Sequence, residues 1–314
     1  MKFFLAPMQG LTGYTVRNAF HHHFDYIDKY YTPFIPAAKR MNAKIKRDID
    51  PVNNDGITLI PQAMSIVADE VIDLHRQLVP YGYDEINVNL GCPSGTVVSK
   101  KRGSGILAYP DMLDSFLDEL YTKADFPVSI KTRVGFNDDE LWPRLIEIYS
   151  KYPISELTVH PRVQKDFYKN IPNLEAFGEA LAISKNPVCY NGDIFSADDF
   201  KRIQSQFPDV ECFMMGRGVL ADPSLAREIR GGKAADQSDI RRFHDLLYHT
   251  YREEVSGDRN VLFKMKEIWF YLAPMFADSK KYAKKIKKSE RCVVYESAVN
   301  ELFANCRFTG TQSK

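Results

Sequence analysis

Short apolar runs rich in strand-forming residues alternate with longer amphipathic stretches along the first 230 residues, and this alternation constrains the fold most strongly. Eight runs are predicted strands: Phe3–Ala6, Tyr26–Tyr30, Ile57–Gln62, Glu85–Asn89, Val128–Thr132, Glu156–His160, Val188–Asn191 and Cys212–Met215. Helical stretches lie between them, among them Val67–Leu78, Asp111–Lys123, Leu141–Tyr149 and Ala197–Gln206. Such alternation favours parallel pairing through crossover connections, and eight units in about 230 residues predict a (β/α)8 TIM barrel.

The alternative is a doubly wound open sheet, which also alternates strands with helices. That fold usually carries a glycine-rich fingerprint after its first strand. Here the first strand is followed by Pro7-Met8-Gln9-Gly10, which has no such pattern. The barrel is therefore the preferred prediction.

The pattern changes after Gly231-Gly232-Lys233, and the rest of the chain is predicted to be helical. The predicted helices are Ile240–Glu254, Val261–Leu272, Ser279–Lys288 and Val293–Asn305. Amphipathic spacing in the second of them is typical of helices that pack together. We therefore predict a barrel domain over residues 1–235 and an all-helical domain over 236–314.

The net charge of +1 hides an asymmetry between these two parts. Residues 1–240 hold 27 Lys and Arg against 32 Asp and Glu, whereas residues 241–314 hold 15 against 9. The sharpest basic run spans residues 280–288, with the sequence KKYAKKIKK. A basic tail on a mildly acidic body predicts a polyanionic partner such as a nucleic acid, although a solvated helical face has the same composition.

The composition indicates the kind of compartment in which the protein works. The five cysteines form no Cys-x-x-Cys pair, so neither a disulfide framework nor a metal site is predicted, and a reducing compartment is favoured. The amino terminus has too short an apolar run for a signal peptide, and no stretch of about 20 apolar residues exists. We expect a cytoplasmic protein without a membrane span, and nothing demands more than a monomer.

Unusual polar residues and glycines stand where the predicted strands end. They are Pro7, Met8, Gln62, Asn89, Cys92, Lys131, Arg133, His160, Arg162, Asn191, Asp193, Gly216 and Arg217. In a barrel all these strand ends open on one face, where active sites are built. Packing alone would favour apolar side chains at such positions, so the set predicts a functional site.

Cys92 is the strongest candidate for chemistry in this set. It lies between Gly91 and Pro93, on a loop that directly follows a predicted strand. Gly91 is expected to provide backbone geometry that a Cβ would forbid, and Pro93 to stiffen the turn. A buried structural thiol is the alternative, since free cysteines commonly pack as small hydrophobes.

Two glycine-containing segments follow the last two predicted strands, Asn191-Gly192-Asp193 and Gly216-Arg217-Gly218. Loops at this point of a barrel commonly bind phosphate through backbone N–H groups, and an arginine can fork onto phosphate oxygens. Tight turns are the alternative explanation. Amides at Gln62 and Asn89 suit a ring of alternating donors and acceptors, and Lys131 suits negative charge on it. Together these needs describe FMN.

Six motifs in order carry a family resemblance. They are Ala6-Pro7-Met8, Asn89-Leu90-Gly91-Cys92-Pro93, Lys131-Thr132-Arg133, His160-Pro161-Arg162, Asn191-Gly192-Asp193 and Met215-Gly216-Arg217-Gly218. Their order and spacing over residues 1–230 resemble the tRNA-dihydrouridine synthases, and the tail resembles that family's tRNA-binding domain. Pro161 departs from the pattern, where glycine is more common. The start of the chain at its first strand and the length of its tail favour the bacterial C-type subgroup.

The resemblance implies a mechanism: NADPH reduces FMN, the flavin passes a hydride from N5 to C6 of a D-loop uracil in tRNA, and Cys92 gives a proton to C5. The implied cofactor-binding residues are Pro7, Met8, Gln62, Lys131, His160, Asn191, Gly192, Asp193, Gly216 and Arg217. The implied substrate-binding residues are Asn89, Arg133, Arg162, Lys284 and Lys285. Since the thiol acts as an acid, it must hold its proton at working pH.

Two other functions stay open at this stage. A flavin-dependent barrel acting on a small molecule, similar to a dihydroorotate dehydrogenase, would explain the flavin set and Cys92 but not the basic tail. An RNA-binding protein without chemistry would explain the tail, but it predicts a damaged flavin site or a missing thiol.

Overall fold

The structure is a computed structural model that describes residues 1–24, 26–37 and 40–310. Its strands are β1 (Lys2–Leu5), β2 (Lys29–Tyr31), β3 (Ile35–Pro36), β4 (Leu59–Ile60), β5 (Gln62–Met64), β6 (Ile86–Leu90), β7 (Val128–Gly135), β8 (Leu157–Val163), β9 (Val188–Tyr190) and β10 (Cys212–Met215). All of them belong to one sheet, in the order β3-β5-β6-β7-β8-β9-β10-β1-β2-β4.

The α-helices follow the predicted alternation. They are α1 (Tyr14–Phe24), α2 (Ala43–Ile49), α3 (Ala68–Leu78), α4 (Gly95–Val98), α5 (Pro110–Lys123), α6 (Trp142–Tyr149), α7 (Leu174–Ile183), α8 (Ala197–Gln206), α9 (Arg217–Ala221), α10 (Leu225–Ile229), α11 (Gln237–Glu254), α12 (Asp258–Leu272), α13 (Lys280–Lys288) and α14 (Cys292–Asn305). Pro110 opens α5 where a missing N–H costs nothing, and the Asp236 side chain caps α11.

The predicted barrel is confirmed, and the ten strands form its eight strand positions. Pro61 cannot donate a ladder hydrogen bond, so it divides the predicted strand 57–62 into β4, which pairs with β2, and β5, which pairs with β6. Because β4 and β5 are otherwise continuous, they join the two ends of the sheet. In the same way β3, which was not predicted, continues β2 at the same strand position of the barrel. The strand predicted to begin at Tyr26 begins instead at Lys29.

Parallel register brings the predicted site residues to one end of the sheet. Asn89 on β6 is level with Lys131 on β7, and Arg133 on β7 is level with His160 on β8. Since neighbouring parallel strands point the same way, their carboxyl ends share one rim.

The chain divides into two compact units that are not continuous in sequence. The first contains residues 1–7, 29–193 and 207–214, and the second contains residues 8–28, 194–206 and 215–314. All the described residues of the predicted helical domain 236–314 belong to the second unit, which also takes in α1 and α8 to α10. In the described ranges, no helix is both long and apolar enough to cross a lipid bilayer.

A buried hydrogen-bond network stabilises the second unit. Trp269 Nε1 donates to Tyr295 Oη at 2.8 Å, and Tyr295 Oη lies 2.7 Å from His244 Nε2. His244 Nδ1 lies 2.8 Å from an Asp245 carboxylate oxygen. The network is satisfied when Tyr295 donates to Nε2 and Nδ1–H donates to Asp245, so a neutral His244 fits it fully.

We expect Tyr295→Phe to lower the free energy of unfolding by about 1–3 kcal/mol, because it leaves the buried N–H of Trp269 and the acceptor nitrogen of His244 without a hydrogen-bond partner. Urea denaturation checks this, with Tyr282→Phe on α13 as the control. Equal stability of the wild type and Tyr295→Phe would contradict the network's role.

The pH dependence of stability gives a second prediction. Burial lowers the pKa of His244, so below the ordinary value of 6.5 the unfolded chain binds more protons than the folded chain. The wild type should therefore lose stability as pH falls from 7 towards 5.

Candidate active site

Asn89 organises the loop that carries Cys92. It is the fourth residue of β6, and its Oδ1 accepts the backbone N–H groups of Gly91 at 3.1 Å and Cys92 at 2.9 Å. One side chain therefore turns the chain sharply at the strand end and fixes the residue that bears the thiol. This places Cys92 at the carboxyl rim, as the sequence predicts.

A short 3-10 helix, Gly103–Ala108, supports the same loop from behind. Ser104 donates to the Cys92 carbonyl through both its backbone N–H, at 3.1 Å, and its Oγ, at 2.8 Å. Gly103 has φ +56°, and a Cβ there would lie 2.7 Å from the Cys92 carbonyl oxygen. This supporting role of Gly103 and Ser104 was not predicted from the sequence, where the two nearby glycines, Gly103 and Gly105, are the signal that could have shown it.

Gly91 is required for a different reason from the one expected. Its backbone is not left-handed, but a Cβ would lie 3.3 Å from the Thr132 carbonyl carbon on β7. The glycine therefore lets the thiol loop lie directly against the neighbouring strand.

The Cys92 thiol keeps its proton at neutral pH. Burial raises its pKa, and this outweighs the opposing effects of the Ser94 N–H and of the positive charges on Arg133 and Lys131. The side chain is only partly buried, so it stays open to a reactant. A protonated, accessible thiol can act as a general acid.

A chain of buried amides crosses neighbouring strands below this loop. Asn89 Nδ2 donates to Gln62 Oε1 at 2.8 Å, and Gln62 Nε2 donates to Asn87 Oδ1 at 2.7 Å. Asn87 Nδ2 in turn donates to Ser129 Oγ at 3.0 Å. These hydrogen bonds fix the orientation of the Gln62 and Asn89 amides. The part played by Asn87 and Ser129 was not predicted from the sequence.

Lys131 stands on β7, and its Nζ makes no hydrogen bond or ion pair within the described ranges. Burial lowers its pKa to about 7, and the charge of Arg133 acts in the same direction. An amine in this state gains a proton readily when negative charge arrives beside it, so Lys131 fits the predicted place beside a flavin ring.

Arg133 joins two loops rather than pointing outwards. Its Nε donates to the Gly91 carbonyl at 3.0 Å, and its two terminal nitrogens donate to the carbonyls of Val163 at 2.9 Å and Phe167 at 2.8 Å. The residue is buried. Its predicted contact with substrate stays a prediction, whereas this geometry makes it a positioning residue for the thiol loop.

Arg162, also buried, is paired with Asp193. Its two terminal nitrogens each donate to one carboxylate oxygen of Asp193, and its Nε donates to the carbonyl of Asn170. The same guanidinium lies 3.1 Å from His160 Nε2. A guanidinium can only donate, so Nε2 accepts and the ring proton resides on Nδ1.

Asp193, which is predicted to contact the cofactor at its phosphate, forms an ion pair with Arg162. Its contact with the cofactor stays a prediction. The predicted contact of Arg162 with substrate stays a prediction, and Pro161 does not prevent its side chain from reaching the rim.

The segment Asn191-Gly192 closes the end of β9. Asn191 Nδ2 donates to the Met214 carbonyl at 2.7 Å, and a Cβ on Gly192 would lie 2.0 Å from the Tyr190 hydroxyl oxygen. Both features fasten the strand end, and Gly192 leaves room that a side chain would fill. Pro7 is half-buried just after β1. A cofactor contact by these three residues stays a prediction.

The remaining predicted cofactor residues belong to the second unit. Met8 begins a turn in which its N–H donates to Thr12 Oγ1 at 2.8 Å. Gly216 precedes α9, and the Arg217 guanidinium lies over the Phe195 ring at 5.4 Å. Their role at a cofactor stays a prediction.

The basic run forms α13, and its lysines face different ways. A groove between α12 and α13 is lined by Lys266, Lys280, Lys281, Lys284 and Lys287 together with the exposed Phe263 and Phe270. Lys285 does not line it, because its Nζ pairs with Glu301 on α14. The structure therefore separates Lys284, which lines the groove, from Lys285, whose charge is compensated.

Comparison with known proteins supports the family resemblance. The sequence profile of the family described as dihydrouridine synthase (Dus) matches residues 4–304. The chain is 29% identical over 238 residues to tRNA-dihydrouridine synthase B of Pasteurella multocida, a match covering 72% of this chain and 68% of that protein. It is 26% identical over 256 residues to the tRNA-dihydrouridine(16) synthase of Pseudomonas putida, covering 79% of each.

Solved structures support the barrel. Morphinone reductase superposes with a TM-score of 0.52 at 10% identity, covering 75% of this chain and 87% of that one. The old yellow enzyme from Trypanosoma cruzi superposes with a TM-score of 0.50 at 8% identity, covering 75% and 90%. At such low identity these likenesses concern the fold alone. Since the family profile spans nearly the whole sequence, the chain belongs to the dihydrouridine synthase family.

Proposed function

We propose that this enzyme, a flavin-dependent reductase of uridine in tRNA, acts on a D-loop uridine to give 5,6-dihydrouridine, with FMN as its flavin and NADPH as its reductant. The observation that carries the proposal is Cys92, a half-buried thiol with a raised pKa, held at the barrel rim by Asn89 and Ser104. The choice of NADPH rests on the family resemblance.

The residues of the rim fit FMN. Lys131, whose pKa is lowered to about 7, makes no hydrogen bond or ion pair in the described ranges, Gln62 and Asn89 present ordered amides, and His160 carries its proton on Nδ1. These four would hold the flavin ring. When bound, FMN supplies the hydride that C6 of the uracil receives.

The protein's own contribution to the reaction is the proton. Reduction of the C5–C6 double bond adds a hydride at C6 and a proton at C5, and the Cys92 Sγ–H supplies the proton. Burial keeps the thiol protonated until negative charge develops at C5, at which point transfer becomes favourable. Asn89 holds the thiol loop in place through the transfer, and Arg133 holds the same loop at Gly91. The target base must leave its stack to reach this rim.

Nucleoside mass spectrometry of unmodified tRNA incubated with the enzyme, FMN and NADPH tests the proposal. Dihydrouridine should appear only when tRNA, enzyme and reductant are all present. Flavin that is bound and reducible without dihydrouridine in the tRNA would overturn the proposal and favour a small-molecule substrate.

The groove of the second unit leads to a prediction about RNA affinity. Lys284→Glu should weaken tRNA binding about 3–10-fold at moderate salt and lower the slope of log K against log salt by about 1, because it removes one phosphate contact. Lys285→Glu should have a smaller effect, since Glu301 already compensates that lysine. Fluorescence anisotropy at several salt concentrations measures both.

Lys201→Glu provides the matched control, because this exposed lysine lies on α8 beside Asp198 and outside the groove. Flavin content should be unchanged in all three variants. An affinity of Lys284→Glu equal to that of the control would contradict the assignment of the groove.

A further inference from the structure

An ion pair between Glu70 and Arg102 plays no part in the chemistry described so far. Arg102 Nη2 donates to Glu70 Oε2 at 3.2 Å. Glu70 lies in the first turn of α3, and Arg102 directly precedes the 3-10 helix Gly103–Ala108. The Arg102 side chain is 24% exposed and the Glu70 side chain 25%. A pair that is largely shielded from solvent is screened less by salt than a surface pair, so it constrains the two segments that it joins.

The Glu70 carboxylate is itself fixed to the barrel. The Ser65 hydroxyl donates to the same oxygen, Oε2, that accepts from Arg102. Ser65 is completely buried and directly follows β5. Its Oγ in turn accepts the N–H of Val67 at 3.1 Å. Because the carboxylate is bound at a strand end, its position is defined, and it can define the position of Arg102.

Arg102 is followed by the two residues that contact Cys92 directly. Ser104 donates to the Cys92 carbonyl through its backbone N–H and its Oγ. A Cβ on Gly103 would lie 3.0 Å from the Cys92 Cβ, so the backbone at Gly103 packs against the side chain that carries the sulfur. A displacement of Arg102 is therefore expected to move the support of the thiol.

The segment that joins Cys92 to the 3-10 helix buries few side chains of its own. Residues 94–96 and 99–101 are exposed. Lys101, whose ammonium lies 4.4 Å from the centroid of the Tyr109 ring, has φ +57°, a left-handed conformation that is costly for a residue other than glycine. Since burial contributes little here, the anchor at Arg102 matters more for the shape of the segment.

We propose that Glu70 is a positioning residue for the proton transfer by Cys92. Through Arg102 it fixes the segment that binds the Cys92 carbonyl, and so it holds the thiol where a reactant at the rim receives its proton. A general acid works only within hydrogen-bond reach of the reacting atom, and a misplacement of about 1 Å can lower a rate about 100-fold. The inference rests on the proposed function, since it takes Cys92 to be the acid.

Glu70→Gln and Arg102→Met test the ion pair, because each removes one of its charges and keeps most of the side-chain volume. Each should lower the single-turnover rate of dihydrouridine formation about 10-fold or more, with flavin content and the Kd for tRNA unchanged. Because both act through one contact, the double variant should be no slower than the slower single variant. Arg102→Lys keeps the positive charge and should recover most of the rate.

Asp69→Asn is the matched control. Asp69 precedes Glu70 on α3, but its carboxylate pairs with Lys123 on α5 at 2.7 Å, and both side chains are exposed. The substitution removes the same kind of charge from the same helix turn. It should keep the wild-type rate of dihydrouridine formation.

Alkylation of the flavin-bound enzyme by iodoacetamide gives a readout that does not depend on tRNA. Burial raises the pKa of Cys92, so a loosened loop should expose the thiol and bring its pKa back towards the ordinary value. Modification of Cys92 at pH 8, followed by peptide mass spectrometry, should become about 3-fold faster or more in Glu70→Gln and Arg102→Met, but not in Asp69→Asn. Cys212, a partly buried thiol in β10, should react equally in every variant.

Several results would overturn the positioning role. They are an unchanged rate of dihydrouridine formation in Glu70→Gln, unchanged alkylation of Cys92 in that variant, and multiplying effects in the double variant. Weaker tRNA binding by Arg102→Met with unchanged alkylation would make Arg102 a phosphate contact instead. If the wild type forms no dihydrouridine, the proposed function fails, and the alkylation rates alone decide whether Glu70 holds the thiol loop.

Discussion

Cys92→Ala is expected to lower the rate of dihydrouridine formation by about 10²–10⁴-fold, the usual contribution of a positioned general acid, while flavin stays bound. The contacts that shape the thiol loop use the backbone N–H and carbonyl of Cys92, not its sulfur. Alanine therefore preserves the loop and removes only the proton donor. Single-turnover measurement with pre-reduced flavin and unmodified tRNA isolates this step.

The pH dependence of the wild type checks the same assignment. Burial raises the pKa of Cys92 above its ordinary value of 9.0, so the acid form persists through neutral pH. The single-turnover rate should stay level from pH 7 to 9 as far as this group is concerned, and should fall only at more alkaline pH as the thiol loses its proton.

Cys212→Ala is the matched control, because Cys212 is also a partly buried thiol but lies in β10. It should keep the wild-type rate. Cys92→Ser should be nearly as slow as Cys92→Ala, since a hydroxyl is a much weaker acid than a thiol. A Cys92→Ala enzyme that turns over like the wild type would keep the reductase function and refute Cys92 as its acid.

Gly218→Ala is expected to have the largest effect on stability. A Cβ at Gly218 would lie 1.8 Å from the Ile194 carbonyl oxygen and 3.0 Å from its carbon. The obstacle is backbone, which cannot rotate away as a side chain can. We expect a loss of about 3 kcal/mol or more in the free energy of unfolding, seen as a lower Tm or as insoluble protein.

Gly178→Ala is a well-matched control, because Gly178 is also helical and its Cβ would meet only the Phe207 ring at 3.6 Å. There the change should be neutral or stabilising by up to about 1 kcal/mol, since alanine is the better helix former. Thermal unfolding of the two variants side by side measures the contrast. Equal Tm values would show that α9 can shift away from Ile194.

The case of Gly218 shows that a glycine in a recognised motif can be required for a further reason that the motif does not reveal. In the sequence, Gly216-Arg217-Gly218 indicates a loop that approaches a phosphate. In the structure, Gly218 is required by the Ile194 carbonyl, a residue 24 positions away that no local pattern connects to it. Asp193 is similar: the sequence places it beside glycine in an anion-binding pattern, but its partner is Arg162, which comes from another strand end.

The sequence by itself determined the barrel, the helical tail and the position of Cys92 directly after a strand. These depend on local periodicity, on turn residues and on the order of motifs along the chain, all of which can be seen without knowing which segments meet. The interruption of the predicted strand 57–62 at Pro61 could also be predicted from the sequence, because the missing N–H is a property of proline alone.

Only the tertiary structure decided what the buried polar side chains do. Asn89 holds the thiol loop, Arg133 joins that loop to the carbonyls of Val163 and Phe167, and Lys285 is compensated by Glu301. Each role depends on which carbonyl or carboxylate stands within about 3 Å, and hydrogen bonds act only at that range. Strand register and loop packing set those distances between residues far apart in the chain, so composition and spacing could name the residues but not their partners.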